Sequence, residues 1–411
     1  MYLLMALLAA VFSAVAQEPH DMSKMAGMNH EGQESQMAMD ASGTSRNPAS
    51  APMDMLHFST RGWTLMAHGM AFLTDIQATG PRGADKLAAM SWGMATAEHA
   101  LGGGTISFRS MLSLDPLTVT GRRYPELFQT GETAYGKPIV DGQHPHDFLM
   151  ELGVAYTHAL GAKTSLELYA APVGDPAIGP VAFPHRASAE EIPQATITHH
   201  LMDSTHLSNE VATAGLTHGI FRVEASGFHG GEPNENRWNI DRGGLDSYSA
   251  RLSLSPTPNW TGQFSAGRIA QPEKLEPGDQ RRLSASVTYN KTYGSGNWAT
   301  SVMWGRVHKT GDGANLNGYL METMARFRSR NIVTGRLELA DKNELLRSGQ
   351  SFRVGSYTAG YTRDFDFLPG IRTGLGANLT AYSMPSALHG VYGQHPVTII
   401  VFLRFRLRGA A

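Results

Sequence analysis

Apolar and polar residues alternate with period two from Trp63 to the end of the chain. In the last such segment Val397, Ile399, Val401, Leu403, Phe405 and Leu407 share one face. Thr398, Arg404, Arg406 and Arg408 share the other, with Ile400 and Phe402 out of step. Ile106, Phe108, Leu112 and Leu114 oppose Ser107, Arg109, Met111 and Ser113. Tyr248, Ala250, Leu252 and Leu254 oppose Ser249, Arg251 and Ser253, and Leu283, Ala285, Val287 and Tyr289 oppose Arg282, Ser284, Ser286 and Thr288. Such segments are strands with one greasy and one wet face.

The pattern predicts strands over 63–76, 87–98, 104–115, 147–159, 163–171, 208–218, 220–229 and 246–255. It continues over 259–269, 281–291, 297–308, 318–328, 331–341, 352–363, 371–382 and 397–408. That is about sixteen, with fourteen the other even count considered. The links at 99–103, 160–162, 219, 256–258, 292–296, 329–330 and 364–370 are short. Those at 77–86, 116–146, 172–207, 230–245, 270–280, 309–317, 342–351 and 383–396 are mostly long, and the two kinds alternate without a break. An antiparallel up-and-down transmembrane β-barrel shows this alternation, whereas a soluble sandwich or propeller has no reason to sort loop length by parity. Placing both termini in the periplasm puts every short link there.

Cost decides which face meets lipid. An Arg or Lys on the lipid side at mid-membrane costs ~2–4 kcal/mol, so charges belong inside. Arg109, Glu151, Glu224, Arg251, Glu322, Arg326, Arg336 and Glu338 all fall on polar strand faces. Both signs occur, which predicts a cross-braced lumen. Trp63, Trp260, Trp298 and Tyr156 lie near the short-link ends of their strands and would form an aromatic girdle there.

The first residues differ. Tyr2 to Ala16 is an apolar run closed by Ala14-Val15-Ala16, which reads as a signal peptide over 1–16, although no Lys or Arg precedes it. No later apolar stretch approaches the ~18 residues of a membrane helix, so a membrane location requires a closed barrel. Residues 17–57 are rich in Met, Ser, Ala, Gly, Asp and Glu without Phe, Trp or Tyr, and are expected to be disordered. The barrel is expected over 58–411.

The chain has 411 residues, no Cys and a net charge of −2. There is no disulfide framework, no thiolate metal site and no basic stripe for nucleic acid. Soft ligands must therefore be thioethers. Met22, Met25 and Met28 recur between His20 and His30, Met37 and Met39 form a pair, and Met53, Met55 and His57 precede the barrel. A thioether is neutral and polarizable and favours Cu(I), and Ag(I) by the same logic, while imidazole accepts Cu(I), Cu(II) and Zn. Met displayed in a solvated linker is an oxidation liability, so seven between residues 22 and 55 argue for ligation. The loops hold a second concentration: His144, His146 and Asp147 in "GQHPHDF", then His185, His199, His200 and His206 in the 172–207 link. These imidazoles would suit Cu(II), Zn or Fe.

From residue 58 the chain resembles Gram-negative outer-membrane β-barrel proteins, largely uncharacterised ones. The signal followed by the Met/His-rich segment is similar to the start of copper-resistance outer-membrane proteins of the B type. The resemblance implies a periplasm-facing metal-binding tail joined to a barrel in the outer membrane. Such barrels commonly end on an aromatic residue; here Arg408-Gly409-Ala410-Ala411 follow, so Phe405 would take that place.

No G-x-S-x-G elbow, P-loop or zincin helix is present. Asp203, Ser204 and His206, or His146 and Asp147, could be assembled into a triad only against the rule that sequence neighbours seldom partner so. The expected function is thus binding without covalent chemistry: an outer-membrane barrel, in contact with lipid and metal ions, contributing to copper or silver tolerance. A general porin and an outer-membrane enzyme are the alternatives.

Overall fold

The alternation closes on itself. The computed structural model describes residues 41–408; the expected signal peptide and His20, Met22, Met25, Met28, His30, Met37 and Met39 lie outside them. A short strand, β1 Leu56–Thr60, precedes β2 Trp63–Ala78, β3 Asp85–Leu101 and β4 Gly104–Leu112. The next link holds two small ladders, β5 Tyr124–Pro125 against β8 Gly142–Gln143 and β6 Glu132–Ala134 against β7 Lys137–Ile139. Then come β9 Leu149–Gly161, β10 Thr164–Gly174, β11 Ser208–His218, β12 Phe221–His229, β13 Ser247–Thr257 and β14 Trp260–Ile269. β15 Gln280–Tyr293, β16 Gly296–Lys309, β17 Asn315–Phe327, β18 Asn331–Lys342, β19 Phe352–Leu368, β20 Ile371–Ser383 and β21 Val397–Leu407 complete the wall.

β2 to β4 and β9 to β21 form a closed antiparallel barrel of sixteen strands, each paired with the next and β21 returned to β2 from Met70↔Arg406 to Ala78↔Thr398. Every strand expected from the pattern is present. β1 was not expected. It turns through Arg61 and Gly62, both left-handed at φ 49° and 81°, and pairs Leu56 to Thr60 with Ala67 to Trp63. It therefore covers the length of β2 that β21 leaves unpaired, which removes an open edge.

The faces sort as their cost requires. Phe108, Leu216, Val302 and Leu337 are exposed on the outside, while Glu151, Glu224, Arg251, Glu322, Arg336 and Glu338 are buried inside. Trp260 and Trp298 flank Tyr289 at 4.6 and 5.4 Å between ring centroids, and Trp63 lies 6.1 Å from Phe108, all at the short-turn rim. Ile400 and Phe402, out of step in the sequence, face inward and pack with Met70, Phe72, Val119 and Tyr124. They are apolar because an inserted loop covers them.

The expected disorder up to residue 57 needs correction over its last part. Residues 41–51 are largely buried and run inside the lumen. Arg109 donates to the Ala41 carbonyl at 2.9 Å, the Gly43 amide donates to Glu151 at 3.2 Å, and Arg372 meets Asp54 at 2.8 Å. The segment is polar because its surroundings are a wet, charged wall; it offsets its ordering entropy with hydrogen bonds to that wall.

Candidate functional site

A second insertion meets the first. The link between β10 and β11, residues 175–207, folds into the barrel and is buried almost throughout. Ser42 Oγ donates to Asp175 at 2.7 Å and the Asn47 side-chain amide donates to the His185 carbonyl at 2.9 Å, so the two insertions touch. The wall holds the loop by charge. Arg186 reaches Glu322 and Asp203 at 2.7 Å each, and Glu322 is also bridged by Arg336 at 3.2 Å. Glu191 takes Arg404 and Arg406, and Glu338 accepts from the Thr198 amide and hydroxyl at 3.1 and 3.0 Å. The guanidiniums are paired with carboxylates and Glu338 is met by two hydrogen bonds, as burial demands. Both insertions occupy the lumen. About 340 Å³ is left beside Arg222 and Arg251 towards the short-turn end, while between the insertions and one wall a void beside His68 measures about 60 Å³.

That wall is unusual for a barrel interior. Met66, Met70, Met90, Met94, Met111 and Met150 are all buried on β2, β3, β4 and β9. The ladder sets His68 opposite Met94 and Met94 opposite Met111. His185, from the inserted loop, places Nε2 3.1 Å from the Met111 sulfur. Its ring lies 4.4 Å from Trp92, and His68 sits 5.1 Å from the same indole. Two imidazoles and facing thioethers are a soft donor set.

Further imidazoles lead towards the long-loop rim. His146 is 5.8 Å from His206, His206 is 5.2 Å from His199, and His199 is 5.1 Å from His200. Most are already engaged. His146 bonds Asp115 at 3.0 Å, His199 bonds Asp203 at 2.8 Å, and His206 Nδ1 donates to the Asp203 carbonyl at 2.8 Å. Asp147 is held by Arg237 at 3.0 Å. Ser204 accepts from Arg282 at 2.7 Å; this hydroxyl is bonded to a guanidinium, and no Ser–His pair forms with His206.

The end of this series is different. Glu132, His144 and His200 bring their ligand atoms within 4.8 Å of one another. His144 Nδ1 lies 2.7 Å from the Pro145 carbonyl, which can only accept, so Nδ1 carries a proton. Its Nε2 then faces Glu132 at 2.7 Å. Burial pushes His144 below the usual imidazole range, and the attraction of Glu132 does not reverse it. For Glu132, burial works upward but is outweighed by His144, then Arg237 and His199, which hold it low. Burial, helped by His199 and Lys342, also keeps His200 neutral. Neither of its buried nitrogens has a hydrogen-bond partner among the described residues.

Of the expected ligands, the structure brings His144 and His200 together and spreads the rest. His185 joins the methionine wall instead. Met53 lines the void beside His68, whereas His57 is exposed on β1; Met55 is half-buried between them. Glu132, His68 and the wall methionines were not foreseen. A signal existed: Met66, His68 and Met70 occupy alternate positions, as do Met90, Trp92 and Met94, where other strands place Ser, Thr or Arg on the inner face.

No protein-family model and no curated protein sequence matches the chain. Solved structures do. An anion-selective porin from Comamonas acidovorans superposes with a TM-score of 0.53 at 11% identity, over 84% of this chain and 100% of its own. OmpF of Salmonella typhi, solved in complex with daunomycin, gives 0.53 at 9% identity, over 86% of this chain and 100% of its own. The likeness is one of fold: a closed sixteen-stranded barrel.

Proposed function

We propose that the chain is an outer-membrane barrel of the porin fold whose partly filled lumen holds soft metal ions, Cu(I) or Ag(I), and so contributes to copper or silver tolerance. In this reading the short turns and the N-terminal tail face the periplasm and the long loops face outward. The contact of His185 Nε2 with the Met111 sulfur at 3.1 Å, on a wall of buried methionines, carries it. Thioethers stay ligands at any pH and in an oxidising compartment, where thiols would be lost. The tail donors His20, Met22, Met25, Met28, His30, Met37 and Met39 would gather the same ions. Binding, with no covalent step, is the whole chemistry required.

Ag(I) titration of the full chain in detergent tests this. Met111→Leu keeps the volume of the side chain and removes the sulfur; together with His185→Gln it is expected to abolish one lumen equivalent of Ag(I). Unchanged stoichiometry and affinity would remove the lumen from the proposal.

A general porin is the second reading, favoured by the fold likeness. Planar-bilayer recording separates the two. A barrel narrowed by its insertions gives a small, infrequent current; a large steady current in the unaltered chain would favour the porin.

A further inference from the structure

We propose a second metal site, of different chemistry, at the long-loop end of the lumen: a borderline divalent cation bound by Glu132, His144 and His200. It stands whether or not the soft-ion reading holds, because it shares no residue with the methionine wall.

The donor set is one carboxylate and two imidazoles. With bonds of about 2.0–2.1 Å, tetrahedral ligand atoms sit about 3.3 Å apart. Here Glu132 Oε1 lies 2.7 Å from His144 Nε2 and 3.9 Å from His200 Nε2, so small adjustments on either side of that spacing complete a cage. His144 Nε2 meets Glu132 Oε1 at 2.7 Å, the distance of a hydrogen bond from a protonated ring, and a bound cation would take the place of that proton. One feature of the cluster lacks another account. His200 is buried with both nitrogens unpartnered among the described residues, and so carries the full cost of two desolvated polar atoms.

The surroundings are those of a metal ligand set. Glu232 places Oε1 3.9 Å from His200 Nδ1, and this oxygen too is buried without a hydrogen bond. Closing that gap would give the carboxylate–imidazole–metal relay that fixes a ligating ring, with Glu232 as a positioning residue. The second oxygen of Glu132 faces Arg237 at 3.8 Å, leaving Oε1 for the ion. Gly131 carries φ +109°, and a Cβ there would stand 2.6 Å from His200 Cγ, so the absent side chain is what lets the ring come so close to the backbone. Three separate loops, 113–148, 175–207 and 230–246, contribute. An ion here would tie them together over the lumen. No sulfur is present, which points to Zn(II), Co(II) or Cu(II) and away from Cu(I).

Co(II) is the probe, since bound cobalt absorbs in the visible and Zn(II) displaces it. The full chain in detergent is expected to show one visible-absorbing equivalent. Glu132→Gln, nearly isosteric, and His200→Ala should each weaken it at least tenfold, with a smaller loss for Glu232→Gln. His218→Ala, an exposed imidazole on β11, should change nothing. An unchanged circular-dichroism spectrum and denaturation midpoint in the same variants show that they are folded. Unaltered Co(II) affinity in folded Glu132→Gln and His200→Ala, or no visible absorption from the unaltered chain at millimolar Co(II), overturns the proposal. Neither result depends on the lumen sulfur, so failure here and failure of the soft-ion reading are distinguishable.

Discussion

At the scale of single residues, the lumen is held by charges that cannot be left alone. Arg186 is wholly buried between Glu322 and Asp203. Removing one partner of such a network leaves the others desolvated and uncompensated, at about 3–5 kcal/mol. Arg186→Met should therefore lower the denaturation midpoint in detergent and expose the 175–207 segment to protease, while the wall strands stay protected. Equal protease resistance in the variant would show that other contacts hold the loop. Gly131 is the opposite case, a residue defined by what it lacks. Gly131→Ala puts a Cβ into a left-handed backbone and against the His200 ring, a strain of about 1–3 kcal/mol. The expected outcome is weakened Co(II) binding with the barrel intact by circular dichroism; unchanged affinity would mean that the ring has room to shift.

At the scale of elements, the histidine-bearing part of the inserted loop is sensitive to acid. Burial, then His199 and His146, pushes His206 down from 6.5 to about 3, and His200 is lowered in the same direction. In the unfolded or released loop these imidazoles return to ordinary values, so the released state binds more protons between pH 6.5 and about 3. Their contribution to the inserted state is complete above that window and is lost as pH falls through it, whereas Asp175, pushed up to about 7 by burial, acts in the opposite sense at the start of the loop. Hydrogen exchange of residues 199–206 should accelerate from pH 6.5 downward relative to β16 and β17, after correction for intrinsic rates. A flat ratio would contradict this. Element scale is also where the sequence stops being legible. Strands declare themselves because one face must be apolar and the next residue must not, as in β11, where the expected span 208–218 is the observed one. Loops carry no such period. Nothing in "THHLMDSTH" says that His200 turns to Glu132 while His199 turns to Asp203. That choice is made by long-range partners, and Glu132 precedes His200 by a full barrel hairpin. The polar stretch 41–55 misled for a related reason. Its composition suits water, and a charged lumen offers the same hydrogen bonds.

At the scale of the whole molecule, everything depends on the outer wall being in hydrocarbon. Val302 lies near the middle of β16, 53% exposed, with Val287 and Met321 opposite it on the neighbouring strands. Ser301, one residue earlier, is wholly buried and bonds Ser188 of the inserted loop at 2.7 Å. The two positions share a strand and a depth, and differ only in face. Val302→Arg should cost about 2–4 kcal/mol for folding into lipid vesicles, yet little in a detergent micelle that deforms around the charge. Ser301→Ala removes one lumen hydrogen bond and should cost about 0.5–1.5 kcal/mol in either medium. The contrast between media is the informative quantity, since a merely structural defect at Val302 would appear in both. If Val302→Arg folds into vesicles as readily as the unaltered chain, the exterior is not a lipid-facing surface. The insertions and both proposed metal sites would then need a soluble setting.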